Sequence, residues 1–126
     1  MANRKRILIA DDDPDLRELM STDLATQDYE TLLAVNGEEA LEIALRERPD
    51  VILLDVMMPK IDGYHVAYEL TTKLGANAPK IIIITSRDTL REKGVALMSG
   101  AVSILQKPFG ITELRQKITD TLAGRS

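Results

Sequence analysis

Four short apolar runs in this sequence end on residues whose types can do chemistry. Ile7-Leu8-Ile9-Ala10 is followed by Asp11, Asp12 and Asp13, and Val51-Ile52-Leu53-Leu54 by Asp55. Ile81-Ile82-Ile83-Ile84 is followed by Thr85 and Ser86, and Val102-Ser103-Ile104-Leu105 leads within two residues to Lys107 and Pro108. If the runs are strands of one parallel sheet, these residues meet at its carboxyl edge. Asp11, Asp12 and Asp55 would then crowd together, and one would have to hold a proton unless a cation intervened. A hard divalent ion with oxygen ligands removes that conflict. Mg²⁺ fits best, because it takes one or two carboxylates, several waters and a phosphate oxygen; Mn²⁺ is the alternative. Lys107 adds a second positive charge and Thr85 a hydroxyl donor. Such a set suits phosphoryl transfer: cations stabilise the equatorial oxygens while an aspartate attacks in line.

Composition removes most rival chemistries. The chain has 126 residues, enough for one domain with a real core. With no cysteine and only His65 as histidine, it can build no disulfide, thiolate metal site, thiol nucleophile or multi-histidine site. A net charge of -4 argues against direct nucleic-acid binding, which needs a basic face. The apolar runs are too short to span a bilayer, so no membrane role is expected. The basic start, Arg4-Lys5-Arg6, is followed by an apolar stretch that stops at Asp11, too short for a signal peptide, and the expected location is cytoplasmic. Tyr29, Tyr64, Tyr68 and Phe109 are too scattered for a stacking platform, and the core must be aliphatic.

The elements that must position the polar residues follow from periodicity. A fifth run, Thr31-Leu32-Leu33-Ala34-Val35, joins the four above. Those starting at Ile7, Val51 and Ile81 are continuously apolar, as central parallel strands are, while Ser103 marks the last run as an edge. Between the runs lie five helical stripes. They are Leu16/Leu19/Met20/Leu24, Ala40/Leu41/Ala44/Leu45, Val66/Ala67/Leu70/Leu74, Leu90/Val95/Leu97/Met98 and Ile111/Leu114/Ile118/Leu122. Asp13 before Pro14 is a helix start, Asn36 with Glu39 forms a capping box, and Asp62 and Asp88 are candidate caps of the third and fourth helices. Gly94 should make the fourth helix the least stable. Five βα units with right-handed crossovers give an α/β fold, a doubly wound five-stranded parallel sheet of order 2-1-3-4-5, the flavodoxin-like arrangement.

Several residues carry a plain structural reading beside the chemical one. Asp13 is as well explained by capping as by catalysis. His65 is a solvent-facing helix residue, and Arg4-Lys5-Arg6 a solvated lead-in to the first strand.

The motifs in combination resemble the receiver domain of two-component response regulators, the CheY-like family. They are Ile7-Leu-Ile-Ala-Asp11-Asp12-Asp13-Pro14, Val51-Ile-Leu-Leu-Asp55-Val-Met-Met-Pro59, Asp62-Gly63, Ile84-Thr85-Ser86, Ser99-Gly100-Ala101 and Lys107-Pro108-Phe109. The resemblance implies one receiver domain over 1–126, with a core of about 5–122 and no output domain. It implies that Asp55 accepts a phosphoryl group from a sensor histidine kinase or a histidine phosphotransfer protein. Mg²⁺ would be held by Asp12, Asp55 and the Met57 carbonyl, with Asp11 acting through water. Lys107 would pair with the phosphoryl group or with Asp55, and the Lys107–Pro108 bond would be cis. Thr85 would swing to the phosphoryl oxygen, Ser86 and Ile104 would take part in coupling, and Met57 and Arg87 would flank the phosphoryl group. The segment from Asp88 to Ser99 would be the mobile element, and the face made by that loop, the fourth helix, the last strand and the fifth helix would change to regulate a downstream protein. Kinase choice would fall to the exposed side of the first helix, around Asp15, Arg17 and Glu18. The protein would be a phosphoacceptor that assists its own modification and slow hydrolysis, not a turnover enzyme.

Two departures from the family stand out. Ile104 occupies the position, three before the lysine, where the family usually has an aromatic ring that turns inward. Gly100-Ala101-Val102-Ser103 lacks an acidic pair, and Gln116 and Thr119 stand where dimerising transcriptional receivers carry basic residues, so that dimer mode is not expected. The alternatives are a receiver that docks without phosphorylation, which Ile104 keeps open, and a haloacid-dehalogenase-type phosphatase using Asp11, Asp13, Thr85 and Lys107. The phosphatase leaves Asp55 without a role.

Overall fold

Aliphatic residues concentrated in five runs form five parallel strands, and the amphipathic stretches between them fold into helices. A computed structural model describes residues 4–87 and 90–124. The strands are β1 (Arg6–Ala10), β2 (Glu30–Ala34), β3 (Val51–Asp55), β4 (Lys80–Thr85) and β5 (Ser103–Gln106). The helices are α1 (Pro14–Thr26), α2 (Gly37–Glu47), α3 (Gly63–Leu74), α4 (Leu90–Met98) and α5 (Ile111–Leu122), with a short 3-10 turn at Gly75–Asn77. The sheet order is β2-β1-β3-β4-β5, as five βα units with right-handed crossovers predict. The three continuously apolar runs are the central strands, and the run broken by Ser103 lies at an edge.

Strand alternation divides the core between the two faces of the sheet. Leu8, Ile52, Leu54, Ile81 and Ile83 pack with Ala40, Ala44, Val66, Ala67, Leu70 and Ala96, so α2, α3 and α4 cover one face. Ile7, Ile9, Val51, Leu53, Ile82, Ile84 and Leu105 pack with Met20, Leu24, Leu114 and Ile118, so α1 and α5 cover the other. At the amino end of the strands, Arg6 ties the edge together: its guanidinium pairs with Glu30 at 2.8 Å and Glu47 at 2.7 Å.

The helix starts follow the sequence signals. Asp13 accepts from the N–H groups of Asp15 and Leu16, Asn36 from that of Glu39, and Asp62 from that of His65. Asp88 lies outside the described residues.

Two expectations are corrected. Leu19, assigned to the buried stripe of α1, is 54% exposed; Leu16, Met20 and Leu24 already fill the inward face. The whole apolar stripe of α4 faces outward: Leu90 is 86% exposed, Leu97 62% and Met98 87%. The inward positions are instead Glu92 and Ala96, followed by Ser99 just past the helix, a spacing of i, i+4, i+7. Ala96 and Ser99 are small enough to let the helix lie close to the sheet, and Glu92 is drawn in by polar partners described below. Small residues with one acid read as a solvated face by hydropathy alone, which is why the stripe was misassigned.

Gly94 in α4 is exposed, and a Cβ there would meet nothing within 4 Å. Gly94→Ala is therefore expected to stabilise the protein by about 0.5–1 kcal/mol, measured by urea denaturation. An unchanged or lowered midpoint would refute the assignment of α4 as limited by its own backbone propensity.

Candidate functional site

The carboxyl ends of β1, β3, β4 and β5 bring Asp11, Asp55, Thr85 and Lys107 to one edge of the sheet. Register explains the meeting. Ala10 pairs beside Leu54, Asp55 beside Ile84, and Thr85 beside Gln106, so each strand delivers its next polar residue at nearly the same height. Backbone bonds continue the alignment past the strands: Val56 N–H donates to the Ile84 carbonyl at 3.0 Å and Lys107 N–H to the Thr85 carbonyl at 2.7 Å. The Lys107–Pro108 peptide is cis, as the resemblance implied.

Gly63 permits the close packing behind Asp55. Its N–H donates to the Val56 carbonyl at 3.1 Å, and a Cβ at this position would fall 2.5 Å from the Asp55 carbonyl oxygen. Only a residue without a side chain lets the start of α3 lie against the backbone of β3 there.

Asp11 is fully buried and Asp55 is 5% exposed, while Asp12 faces solvent. Lys107 Nζ lies 3.2 Å from Asp11 Oδ2 and 3.4 Å from Asp55 Oδ1, bridging the two buried carboxylates. Asp11 Oδ1 accepts the Asp13 N–H at 2.9 Å. Asp11 Oδ2 has no hydrogen bond of acceptable geometry, so its contact with the lysine is an ion pair only. Burial first, and then the charge of Asp11, push the Asp55 pKa up from 3.8 to about 6, with Lys107 working in the opposite direction. Burial alone would lower the Lys107 pKa, but Asp11 and Asp55 outweigh it, and the net direction is upward. The lysine stays a cation.

One oxygen each from Asp11, Asp12 and Asp55 lies within 4.8 Å of the others. An all-oxygen donor set, a buried carboxylate oxygen without a hydrogen bond and an Asp55 whose pKa is raised by burial and by Asp11 together fit a hard divalent cation. A single lysine does not neutralise three carboxylates.

The remaining residues of the expected site fall as follows. Thr85 is buried, and its Oγ1 accepts the Arg87 N–H at 3.1 Å. Ser86 is exposed and, with Asp13, Leu16, Lys107, Pro108 and Phe109, lines a hollow beside the lysine. Met57 is 64% exposed. Ile104 is partly buried and packs against the core on the α2–α4 face. The Arg87 guanidinium pairs with Glu92 at 2.9 Å. Asp13 is engaged as the cap of α1.

Glu92 and Tyr64 were missed by sequence reasoning. Tyr64 in α3 donates its hydroxyl to Glu92 at 2.6 Å. No local signal marks this pair, since the residues are 28 positions apart. A Glu in phase with Ala96 and Ser99 is the trace that was available.

The comparisons with known proteins agree with this geometry. The family profile described as "Response regulator receiver domain" matches residues 7–119. Response regulator MprA of Mycobacterium leprae is 42% identical over 113 residues, covering 90% of this chain and 49% of that protein. The probable transcriptional regulator ycf27 of Cyanophora paradoxa is 39% identical over 120 residues, covering 95% of this chain and 49% of that protein. The chain thus spans about half the length of these curated relatives. Among solved structures, chemotaxis response regulator CheY4 of Vibrio cholerae superposes with a TM-score of 0.89 at 28% identity, covering 94% of this chain and 99% of that one. The BeF3-activated N-terminal receiver domain of Klebsiella pneumoniae RstA gives 0.85 at 27% identity, covering 94% and 98%. With its CheY-like (βα)5 fold, its three aspartates and its bridging lysine at the carboxyl edge, the chain belongs to the receiver-domain family of response regulators.

Proposed function

We propose that Asp55 is the phosphoacceptor of this receiver, taking a phosphoryl group from a histidine of a sensor kinase or a phosphotransfer protein. One observation carries the proposal: Lys107 bridges Asp55 and the fully buried Asp11, whose Oδ2 lacks a hydrogen bond. In the transfer an Asp55 carboxylate oxygen attacks phosphorus, the bond from phosphorus to the histidine nitrogen breaks, and the imidazole leaves with that electron pair. Lys107 then pairs with the new phosphoryl oxygens in place of the carboxylate, and Thr85 turns its hydroxyl toward one of them. Asp12, Asp55 and the Met57 carbonyl would hold Mg²⁺ (or Mn²⁺), with Asp11 acting through water. When bound, the ion offsets the repulsion among the carboxylates and the charge on the transferring group.

The acyl phosphate adds nearly two negative charges and three acceptor oxygens, and Thr85 and Lys107 gain contacts that exist only in that state. Such differential contact biases the loop after β4 and α4, and the changed surface acts on a downstream protein. The domain acts in the cytoplasm as a switch, not as a turnover enzyme. Among the described residues no helix is long and apolar enough to cross a membrane. Residues 1–126 are read as one receiver unit. Asp13, which a haloacid-dehalogenase-type phosphatase would need as its second aspartate, is occupied in capping α1, which weighs against that rival.

Mass spectrometry after incubation with acetyl phosphate and Mg²⁺ tests the acceptor. Wild type should gain one phosphoryl mass and Asp55→Asn none; modification of the variant to the same extent would overturn the assignment. Met57, with no hydrogen bond to orient a hydrolytic water, should leave the phosphoryl group long-lived. Met57→Asn is expected to lose it faster in a phosphate-release time course, and equal lifetimes would refute that role.

The charge balance also makes a stability prediction. Raising a carboxyl pKa on folding means the native state binds the proton more tightly. Stability from Asp55 is therefore present below pH 3.8 and is lost as pH rises through about 6. In metal-free buffer at pH 7.5, Asp55→Asn should be more stable than wild type by roughly 1–2 kcal/mol, with the gain shrinking as pH falls from 6 toward 4. Mg²⁺ should narrow the gap. A destabilised variant in denaturant titrations at pH 7.5 would show that the pair with Lys107 outweighs the repulsion.

A further inference from the structure

Among the described residues, Glu92 is the one buried carboxylate outside the aspartate cluster. It lies on the inward face of α4, and its two oxygens are held by two different elements. Oε2 accepts the Tyr64 hydroxyl of α3 at 2.6 Å, and Oε1 accepts Nη1 of Arg87, in the loop after β4, at 2.9 Å. Both interactions hold the Glu92 carboxyl below the usual range, Tyr64 first and Arg87 second, so it stays charged. Each donor makes a charge-assisted hydrogen bond to this carboxylate, and losing one weakens the tie between α4 and the element that supplies it.

Little apolar burial shares the work of seating α4. Ala96 is its buried apolar side chain, while Leu90, Val95, Leu97 and Met98 are exposed. The hold on this helix is therefore polar to an unusual degree. Its arginine arm is in turn fastened to the proposed switch hydroxyl: the backbone N–H of Arg87 donates to Thr85 Oγ1 at 3.1 Å. Thr85 ends β4 on the same side of the sheet as Ile83, which packs with the α2–α4 layer.

We propose that Glu92 latches α4 and that Arg87 couples this latch to Thr85. The proposal rests on reading Thr85 as the hydroxyl that meets the phosphoryl group. When Thr85 Oγ1 turns away, the Arg87 N–H loses its acceptor, the backbone at 87 shifts, and the guanidinium releases Glu92. The first turn of α4 is then free to move against α3. This route needs no aromatic ring at 104: Ile104 keeps its apolar contacts with the core while the signal travels through a hydrogen bond and an ion pair. Arg87 and Glu92 are positioning residues here, since neither needs to touch the phosphoryl group.

Amide hydrogen exchange on the unphosphorylated chain tests the latch. Tyr64→Phe and Arg87→Ala should each speed exchange of the α4 amides about tenfold or more, with α1 and α5 unchanged. Arg87→Lys, which keeps the charge, should restore part of the protection. Thr85→Val, nearly isosteric but without the acceptor oxygen, should speed α4 exchange in the wild-type background and add nothing once Arg87 is alanine. Unchanged α4 protection in Tyr64→Phe, or independent multiplicative effects of Thr85→Val and Arg87→Ala, would overturn the coupling. None of these measurements uses a phosphoryl group, so their failure is distinct from a failure of Asp55 to accept one.

Discussion

Crowding of negative charge at the carboxyl edge of the sheet is the constraint on which the rest of this molecule turns. Two buried aspartates and an exposed third lie within 4.8 Å of one another, with one lysine between the buried pair. In water such a cluster would disperse. Here the strands hold it, because Asp55 ends a fully buried strand and Asp11 follows one whose last four residues are buried, and neither backbone can move without opening the core. Burial first, and the neighbouring charge of Asp11 second, raise the Asp55 pKa, and an all-oxygen set of this kind is receptive to a hard cation. Stability is given up at the place where function needs a loaded electrostatic balance, a pattern expected of sites tuned for chemistry.

The two halves of the sheet's environment play different roles around that cluster. On one face, α1 and α5 are anchored by Met20, Leu24, Leu114 and Ile118, all fully buried, and are joined to each other by an ion pair between Arg115 and Asp23. That face is a rigid floor for Lys107 and Asp11. On the other, α2 and α3 are well seated, but α4 contributes Ala96 and Glu92 in place of large apolar side chains. A helix held by hydrogen bonds and one ion pair can be released by a local change in partners. One held by several leucines would need its apolar surface to be re-exposed, at a cost of roughly 1.5–3 kcal/mol for each large side chain. The polar seating of α4 thus leaves the helix beside Thr85 with fewer buried apolar side chains than α1, α3 or α5.

Much of this was legible in the residues themselves. The continuous runs Ile7-Leu8-Ile9-Ala10, Val51-Ile52-Leu53-Leu54 and Ile81-Ile82-Ile83-Ile84 read as strands covered on both faces, and their order followed from right-handed crossovers with helices on both faces. The caps at Asp13, Asn36 and Asp62 were readable because each is a local bond within three residues. The site residues were readable for a related reason: each is the last residue of a strand or one of the two that follow it, so its address is set by chain position.

What sequence could not decide was which face of a weakly patterned helix turns inward. Hydropathy put Leu90, Leu97 and Met98 inside α4, and tertiary structure put Glu92, with Ala96, there instead. The reason lies 28 residues away, in a tyrosine hydroxyl that completes a buried carboxylate's bonding, and in an arginine whose backbone leans on Thr85. Periodicity counts apolar atoms along one segment. It is blind to a polar partner supplied by another. The strands, their order and the residues at their ends were determined by local pattern and chain topology. The bridging of Asp11 and Asp55 by one lysine, the burial that raises the Asp55 pKa and the orientation of α4 were decided only by how separate elements meet in three dimensions.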